Sequence, residues 1–133
     1  MDKKALVVGS IFGLLTVIIG AFGAHALKEL LLANDRLEVF ETAVRYQYYH
    51  AVALLVIGIL AEKIQGPWIR RATYLLSVGV IIFSGSLYTL SITNIGLFGA
   101  ITPIGGLLMV LGWVCLIVGI VNTKKNHKKG PPT

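Results

Sequence analysis

Four apolar segments, each long enough to cross a lipid bilayer, constrain this sequence more than any other feature. They cover residues 5–24, 42–61, 72–93 and 102–121, and Arg45 is the one Asp, Glu, Lys or Arg within them. A helix rises about 1.5 Å per residue, so about 20 apolar residues cross the hydrocarbon core. A soluble domain of 133 residues could not bury four such segments. We therefore predict an all-α integral membrane protein, folded as a four-helix bundle.

The basic residues are divided unequally between the two sides of the predicted bundle. Four spans place both termini on one side, and short cytoplasmic segments are rich in Lys and Arg. We therefore predict a multi-pass protein of the cell membrane with both termini in the cytoplasm. The same residues predict contact with anionic lipids on the cytoplasmic face, and no binding of nucleic acid. The side of the termini holds nine of the 12 basic residues: Lys3, Lys4, Lys63, Arg70, Arg71, Lys124, Lys125, Lys128 and Lys129.

The segment boundaries predict one membrane domain and a tail. Residues 1–123 form the domain, and the basic, proline-containing residues 124–133 are expected to be a disordered cytoplasmic tail. Asp35 and Glu38 have the spacing of a capping box, which predicts that the second helix begins near Asp35 as a helical extension on the outer side. Thr102 and Pro103 are the predicted N-cap and first residue of the fourth helix.

Small or hydroxyl-bearing residues recur on one face of three spans. Glycine faces let membrane helices approach closely, which predicts a tight bundle, and Ser or Tyr faces are suited to hydrogen bonds between helices. Trp113 is expected to fill space opposite the glycines of the fourth span. The three faces are Gly9, Gly13, Thr16, Gly20 and Gly23 on the first span, Ser77, Ser84, Tyr88 and Ser91 on the third, and Gly105, Gly112 and Gly119 on the fourth.

A polar and aromatic hexapeptide, RYQYYH at residues 45–50, begins the second span. Glu41 precedes Arg45 by four residues, the spacing of a favourable ion pair on a helix. A charged residue within a span is a candidate for function, although near the end of a span a structural ion pair is a comparable interpretation. At least one of the tyrosines fits the aromatic belt at the membrane surface.

Two histidines, His25 and His50, raise the alternative of a metal or haem site. A simple hairpin would separate them by about 10 Å along the helix axis, and the sequence contains no other metal-ligand spacing. Structural histidines with hydrogen-bond partners are therefore the favoured interpretation, and we expect neither a metal nor a cofactor. The sequence also lacks a catalytic constellation, so we predict a protein that is not an enzyme.

Four ordered segments of the chain resemble a known family. GAFGAHALK at residues 20–28, FETAVRYQYYHAVALL at 40–55, FSGSLY at 83–88 and GAITPIGGLLMVLGW at 99–113 are similar to the small membrane proteins of domain of unknown function 423, which includes the eukaryotic transmembrane protein 256. The resemblance implies a four-span membrane protein without an assigned activity. It also implies that the signature positions are His25, Thr42, Arg45, Tyr46, Gln47, Tyr49, His50, Pro103, Gly105 and Gly106.

The favoured hypothesis is a non-enzymatic module that binds a partner membrane protein or a lipid-like ligand through a polar and aromatic cluster on the outer side. One alternative is a small transporter or channel for a metal ion, a proton or a small solute. Another is a redox subunit that binds quinone or haem. The sequence does not distinguish a homo-oligomer from a complex with another membrane protein. The predicted cluster contains His25, Glu41, Thr42, Arg45, Tyr46, Gln47, Tyr49, His50, Thr102 and Pro103.

Overall fold

The structure, a computed structural model, describes residues 1–124, and that part of the chain contains five α-helices and no strand. Apart from Lys124, the tail that we expect to be disordered lies outside the described residues. Four helices are long and apolar enough to cross a membrane, and α2 is the short helix between the first two of them. The helices are α1 (Lys3–Ala24), α2 (Lys28–Ala33), α3 (Leu37–Leu60), α4 (Trp68–Thr93) and α5 (Leu97–Asn122).

The four long helices pack in chain order, which confirms the predicted all-α bundle. α1 packs against α3, α3 against α4, and α4 against α5. The outward faces of α1 and α5 carry exposed apolar side chains such as Val17 and Leu107. In a bilayer these apolar faces would contact the lipid chains. The helices tolerate this environment because their backbone hydrogen bonds are satisfied within each helix.

Both described ends of the chain lie beside the α3–α4 connection. The Asp2 N–H donates to the Gly58 carbonyl at 2.9 Å, and the Gln65 N–H donates to Thr123 Oγ1 at 3.2 Å. The N-terminal ammonium pairs with the carboxylate of Glu62. This end of the bundle is called the termini end below, and the opposite end, which carries α2, is called the α2 end.

Glycines bring α4 and α5 into close contact, as their spacing predicts. A Cβ added at Gly105 would lie 2.4 Å from the backbone nitrogen of Phe83 and 2.8 Å from the carbonyl oxygen of Gly79. Gly112 and Gly119 are also buried against α4. The backbones of the two helices therefore approach as closely as they do only because these positions lack side chains.

The glycine face of α1 is used only in part. A Cβ at Gly9 would lie 2.9 Å from the Ala51 carbonyl oxygen, and one at Gly23 would overlap the ring of Phe40. A Cβ at Gly13, by contrast, would meet no atom within 4 Å. Close approach between α1 and α3 is thus concentrated near the two ends of the face.

The capping box predicted at Asp35 is wrong. Asp35 has a left-handed backbone with φ of 54°, its N–H donates to the Leu32 carbonyl at 3.1 Å, and the Arg36 N–H donates to the Leu31 carbonyl at 2.9 Å. These two bonds form a Schellman motif, so Asp35 ends α2. The short polar side chain of Asp tolerates this conformation better than most residues. α3 then begins at Leu37.

The start predicted for the fourth helix is also wrong. α5 begins at Leu97, so Pro103 lies inside the helix rather than at its first position. Thr102 Oγ1 donates to the Phe98 carbonyl at 3.3 Å within the helix and therefore does not act as an N-cap. A membrane favours the longer helix because unpaired backbone groups are costly in lipid, and proline is tolerated within membrane helices.

Candidate functional site

Gln47 is the centre of a buried polar cluster that joins three helices. Its Nε2 donates to the Phe12 carbonyl on α1 at 3.0 Å, and its Oε1 accepts from the Tyr88 hydroxyl on α4 at 2.7 Å. The Phe12 carbonyl also accepts from Thr16 Oγ1 at 2.6 Å. Nearby, the Ser84 hydroxyl donates to the Ala43 carbonyl at 2.8 Å. These contacts tie α1, α3 and α4 together through hydrogen bonds as well as through packing.

His50 uses both of its ring nitrogens inside the protein. Trp113 Nε1 lies 3.1 Å from His50 Nε2, and Nδ1 lies 2.7 Å from the Tyr46 carbonyl. An indole nitrogen only donates, so Nε2 must accept and Nδ1–H must donate to the carbonyl. This assigns the neutral imidazole one tautomer and leaves no lone pair for a metal. The structural interpretation of His50 is favoured, and Trp113 has a polar role that no sequence pattern indicates.

The tyrosines of the hexapeptide point in different directions, as their spacing on a helix requires. The Tyr46 ring packs on Phe83 of α4 with centroids 4.8 Å apart, and it stacks near His50 at 6.3 Å. Tyr48 and Tyr49 are both more exposed than Tyr46. Tyr46 therefore belongs to the helix interface, whereas the other two rings are available to lipid or to a ligand.

Glu41 and Arg45 do not form the predicted ion pair. The ion pair present within residues 1–124 is the one between the N-terminal ammonium and Glu62. Both side chains are exposed on α3, where water or a ligand can stabilise each charge separately. In the same part of the chain, the Arg45 guanidinium makes no hydrogen bond either. It is an available cation beside an apolar surface.

Two cavities share Arg45 and Glu41 at the α2 end. The first, called the α2-end groove, has a volume of about 450 Å³ and lies between the end of α1 and the start of α3. Gly20, Phe40 and Val44 contribute apolar walls, and Lys28 adds a second cation. Lys28 was not among the predicted site residues.

The second cavity at this end is more polar. It has a volume of about 740 Å³, and its lining includes Asp35, Glu38 and Thr42. Thr42 Oγ1 donates to the Glu38 carbonyl at 2.9 Å. Residues 1–124 contain no group of three or more His, Cys, Asp or Glu side chains placed to hold a metal ion.

The predicted site residues are not all brought together. His25 is an exposed residue that ends α1, and Thr102 bonds to Ser86 of α4 at 2.7 Å. Within residues 1–124, no hydrogen bond or ring contact joins His25, Thr102 or Pro103 to the hexapeptide. The structure thus separates an accessible group around Arg45 from a buried group around Gln47 and His50.

Neither Gln47 nor His50 lines the two cavities at the α2 end or a third one at the termini end. Both side chains are buried, with 4% and 5% exposure, respectively. Their hydrogen-bonding groups are used by the protein itself, so the accessible chemistry of this region is that of Arg45, Lys28 and Glu41.

Comparison with known proteins supports the family resemblance. Residues 19–106 match the family model described as protein of unknown function (DUF423). The chain is 42% identical to the UPF0382 membrane protein YwdK of Bacillus subtilis, a match that covers 90% of this chain and 97% of that protein. It is 45% identical to a UPF0382 membrane protein of Staphylococcus haemolyticus, with 87% and 93% covered.

A more distant relative is the UPF0382 inner membrane protein YgdD of Escherichia coli, with 32% identity over 93% of this chain and 94% of that protein. No solved structure matches the chain. The names of these relatives describe membrane proteins and indicate no enzymatic activity. Because the family model covers most of the four-helix region and the relatives match almost end to end, the chain belongs to the DUF423 family of integral membrane proteins.

Proposed function

We propose that this protein is a non-enzymatic membrane module that binds an acidic, lipid-like ligand in the α2-end groove. The observation that carries the proposal is the position of Arg45. Its guanidinium has no partner within residues 1–124, yet it borders an apolar groove in a membrane protein. A cation beside an apolar surface matches a molecule with an acidic head and a hydrocarbon chain.

The groove supplies both parts of this recognition. Phe40 and Val44 offer apolar contact, and Gly20 keeps the wall beside them open. Lys28 and Arg45 provide two positive charges against the one negative charge of Glu41. Arginine binds carboxylates and phosphates through two parallel hydrogen bonds, so an acidic head is favoured over a neutral one.

The other hypotheses receive less support. A transport function through Arg45 and His50 needs a path to the imidazole, and His50 lines none of the three cavities described above. A haem or quinone site at His50 would have to displace the Trp113 and Tyr46 hydrogen bonds.

We also propose the orientation and organisation of the chain. Residues 1–123 form one membrane domain with both termini in the cytoplasm, which places the α2-end groove on the outer side of the cell membrane. The bias of basic residues toward the termini end supports this orientation. The orientation is tested by labelling single cysteines with a reagent that does not cross membranes. A cysteine in place of exposed Ala33 should react in intact cells, and a cysteine in place of Lys124 should not.

The ligand is tested by native mass spectrometry of the protein purified in mild detergent. We expect a bound acidic amphiphile in the wild type and a loss of about tenfold or more in Arg45→Gln, because one charge-assisted contact contributes about 1.5–3 kcal/mol. Lys63→Gln is the matched control, since Lys63 is exposed, is placed at the termini end and lines none of the three cavities.

A steric pair of variants tests the apolar part of the groove. Gly20→Leu should fill the groove without a backbone clash, because a Cβ there would make an ordinary contact with Val44 at 3.6 Å. Gly13→Leu adds the same side chain on the same helix, in open space and outside the groove. Equal ligand binding by both variants, or an unchanged number of bound acidic amphiphiles in Arg45→Gln, would refute the proposed site.

A further inference from the structure

A second groove lies at the opposite end of the bundle, between α1 and α4. Its volume of about 810 Å³ is within the usual range for ligand pockets, about 300–1,000 Å³. The two helices both pack against α3, and Ala61 at the end of α3 contributes to the lining between them. The groove is therefore a gap between two membrane helices at the level where α1 and α4 begin.

The walls of this termini-end groove are mainly apolar. Val7 and Val8 line it from α1, and the exposed ring of Tyr74 lines it from α4. The hydroxyls of Thr73 and Ser77 donate to carbonyls within α4, at 3.1 Å and 2.6 Å. Because those hydroxyls are already engaged, the middle of the groove offers a ligand mostly carbon surface.

The charged residues of the groove are predominantly basic. Lys3, Lys4 and Arg70 line it, and none of them forms an ion pair within residues 1–124. The neighbouring Arg71 is used differently, since its guanidinium lies over the Trp68 ring at 4.7 Å. Three cations without ionic partners therefore border an apolar gap.

The two carboxylates of the groove have partners of their own. Asp2 Oδ1 accepts the N–H groups of Lys4 at 3.0 Å and Ala5 at 3.3 Å, which caps α1. Glu62 pairs with the N-terminal ammonium. Neither carboxylate is paired with the side chain of a groove lysine or arginine, so those cations remain available to an anion.

We propose that the termini-end groove binds an anionic phospholipid. The phosphate lies among Lys3, Lys4 and Arg70, and an acyl chain lies along Val7 and Tyr74 toward Ser77. Basic pockets between membrane helices are recognised sites for anionic head groups, and an exposed Tyr near the end of a span suits the membrane interface. This site is separate from the α2-end groove, so each proposal can fail without the other.

The test is lipid titration followed by native mass spectrometry, with phosphatidylglycerol and phosphatidylcholine compared on the purified full-length chain. We expect the wild type to prefer phosphatidylglycerol. In an Arg45→Gln background, which removes the proposed contribution of the α2-end groove, Lys3→Gln/Arg70→Gln should weaken phosphatidylglycerol binding roughly 25-fold, since each basic residue near a membrane surface contributes about fivefold. Lys63→Gln/Lys124→Gln removes the same charge outside the groove and should retain the preference.

A second pair of variants tests the acyl-chain position. Ser77→Phe places a ring in the groove, and Val78→Phe places the same ring on the exposed adjacent position of α4, outside it. We expect only the first to release phosphatidylglycerol, with helix content checked by circular dichroism. Equal losses from the two charge pairs, or equal binding of both lipids by the wild type, would overturn the proposal.

Discussion

The contact between Gly105 and α4 yields the sharpest prediction about stability. In Gly105→Ala, the new Cβ would lie 2.4 Å from the Phe83 nitrogen and 2.8 Å from the Gly79 carbonyl oxygen. These are backbone atoms, which cannot rotate away, so α4 and α5 would have to separate. Overpacking costs about 1–3 kcal/mol, and the higher helix propensity of alanine offsets about 1 kcal/mol. The difference between these two terms is a fall in the free energy of unfolding of about 1 kcal/mol, and of up to about 2 kcal/mol if the helices cannot adjust.

Gly106→Ala is the control for this prediction. A Cβ at Gly106 would lie 3.8 Å from the Phe83 ring, an ordinary contact, so helix propensity should dominate and stabilise by up to about 1 kcal/mol. Both variants are to be unfolded in mixed detergent micelles and followed by circular dichroism. A Gly105→Ala protein as stable as Gly106→Ala would refute the close approach of α4 and α5.

Three further predictions concern individual hydrogen bonds. Gln47→Leu should lower the free energy of unfolding by about 1–2 kcal/mol. A double-mutant cycle with Tyr88→Phe should show a coupling energy of about 0.6 kcal/mol between the two side chains. Strictly additive effects would show that their hydrogen bond contributes nothing. Trp113→Phe should cost about 1 kcal/mol in the wild type but less in a His50→Leu background, and equal costs in the two would argue against the indole–imidazole bond. The hydrogen bond from the N-terminal ammonium, and then its charge, lower the pKa of Glu62 from its ordinary value of 4.5. Acetylation of the amine should therefore raise this pKa back toward 4.5 in an NMR titration. The stabilising contribution of the pair is present above pH 4.5 and should disappear as the pH falls through the folded-state pKa.

The sequence was sufficient to predict the architecture because lipid imposes strong rules on it. Runs of about 20 apolar residues can satisfy their backbone in lipid only as helices, so the four spans followed from the pattern alone. The glycines of α5 were also predictable, since regular spacing places them on one face. Helix ends were harder to predict. Asp35 fits both an N-cap and a left-handed helix end, and tertiary structure selected the second.

The candidate site could be predicted only in part. The hexapeptide was identifiable because charged residues are rare within a span. Its division into buried and accessible groups depends on how the neighbouring helices are rotated. The bond from Trp113 to His50 joins residues 63 positions apart, and no local pattern indicates it. Lys28 was not predicted as a site residue either. It reaches the groove from α2, and the direction of α2 depends on the turn at the end of α1, which the sequence does not specify.

The ligand site in the α2-end groove is tested most directly by photo-crosslinking, followed by peptide mapping, with an acidic lipid probe that carries a photoreactive group near its head. We expect labelling at residues 20–24 and 37–45 of the α2-end groove, in addition to any labelling of the termini-end groove. Labelling at the α2 end should fall strongly in Arg45→Gln and should not fall in Lys63→Gln. A zwitterionic probe of the same chain length should label these residues weakly. Uniform labelling along the exposed faces of α1 and α5, unchanged by Arg45→Gln, would contradict a ligand site at the α2 end.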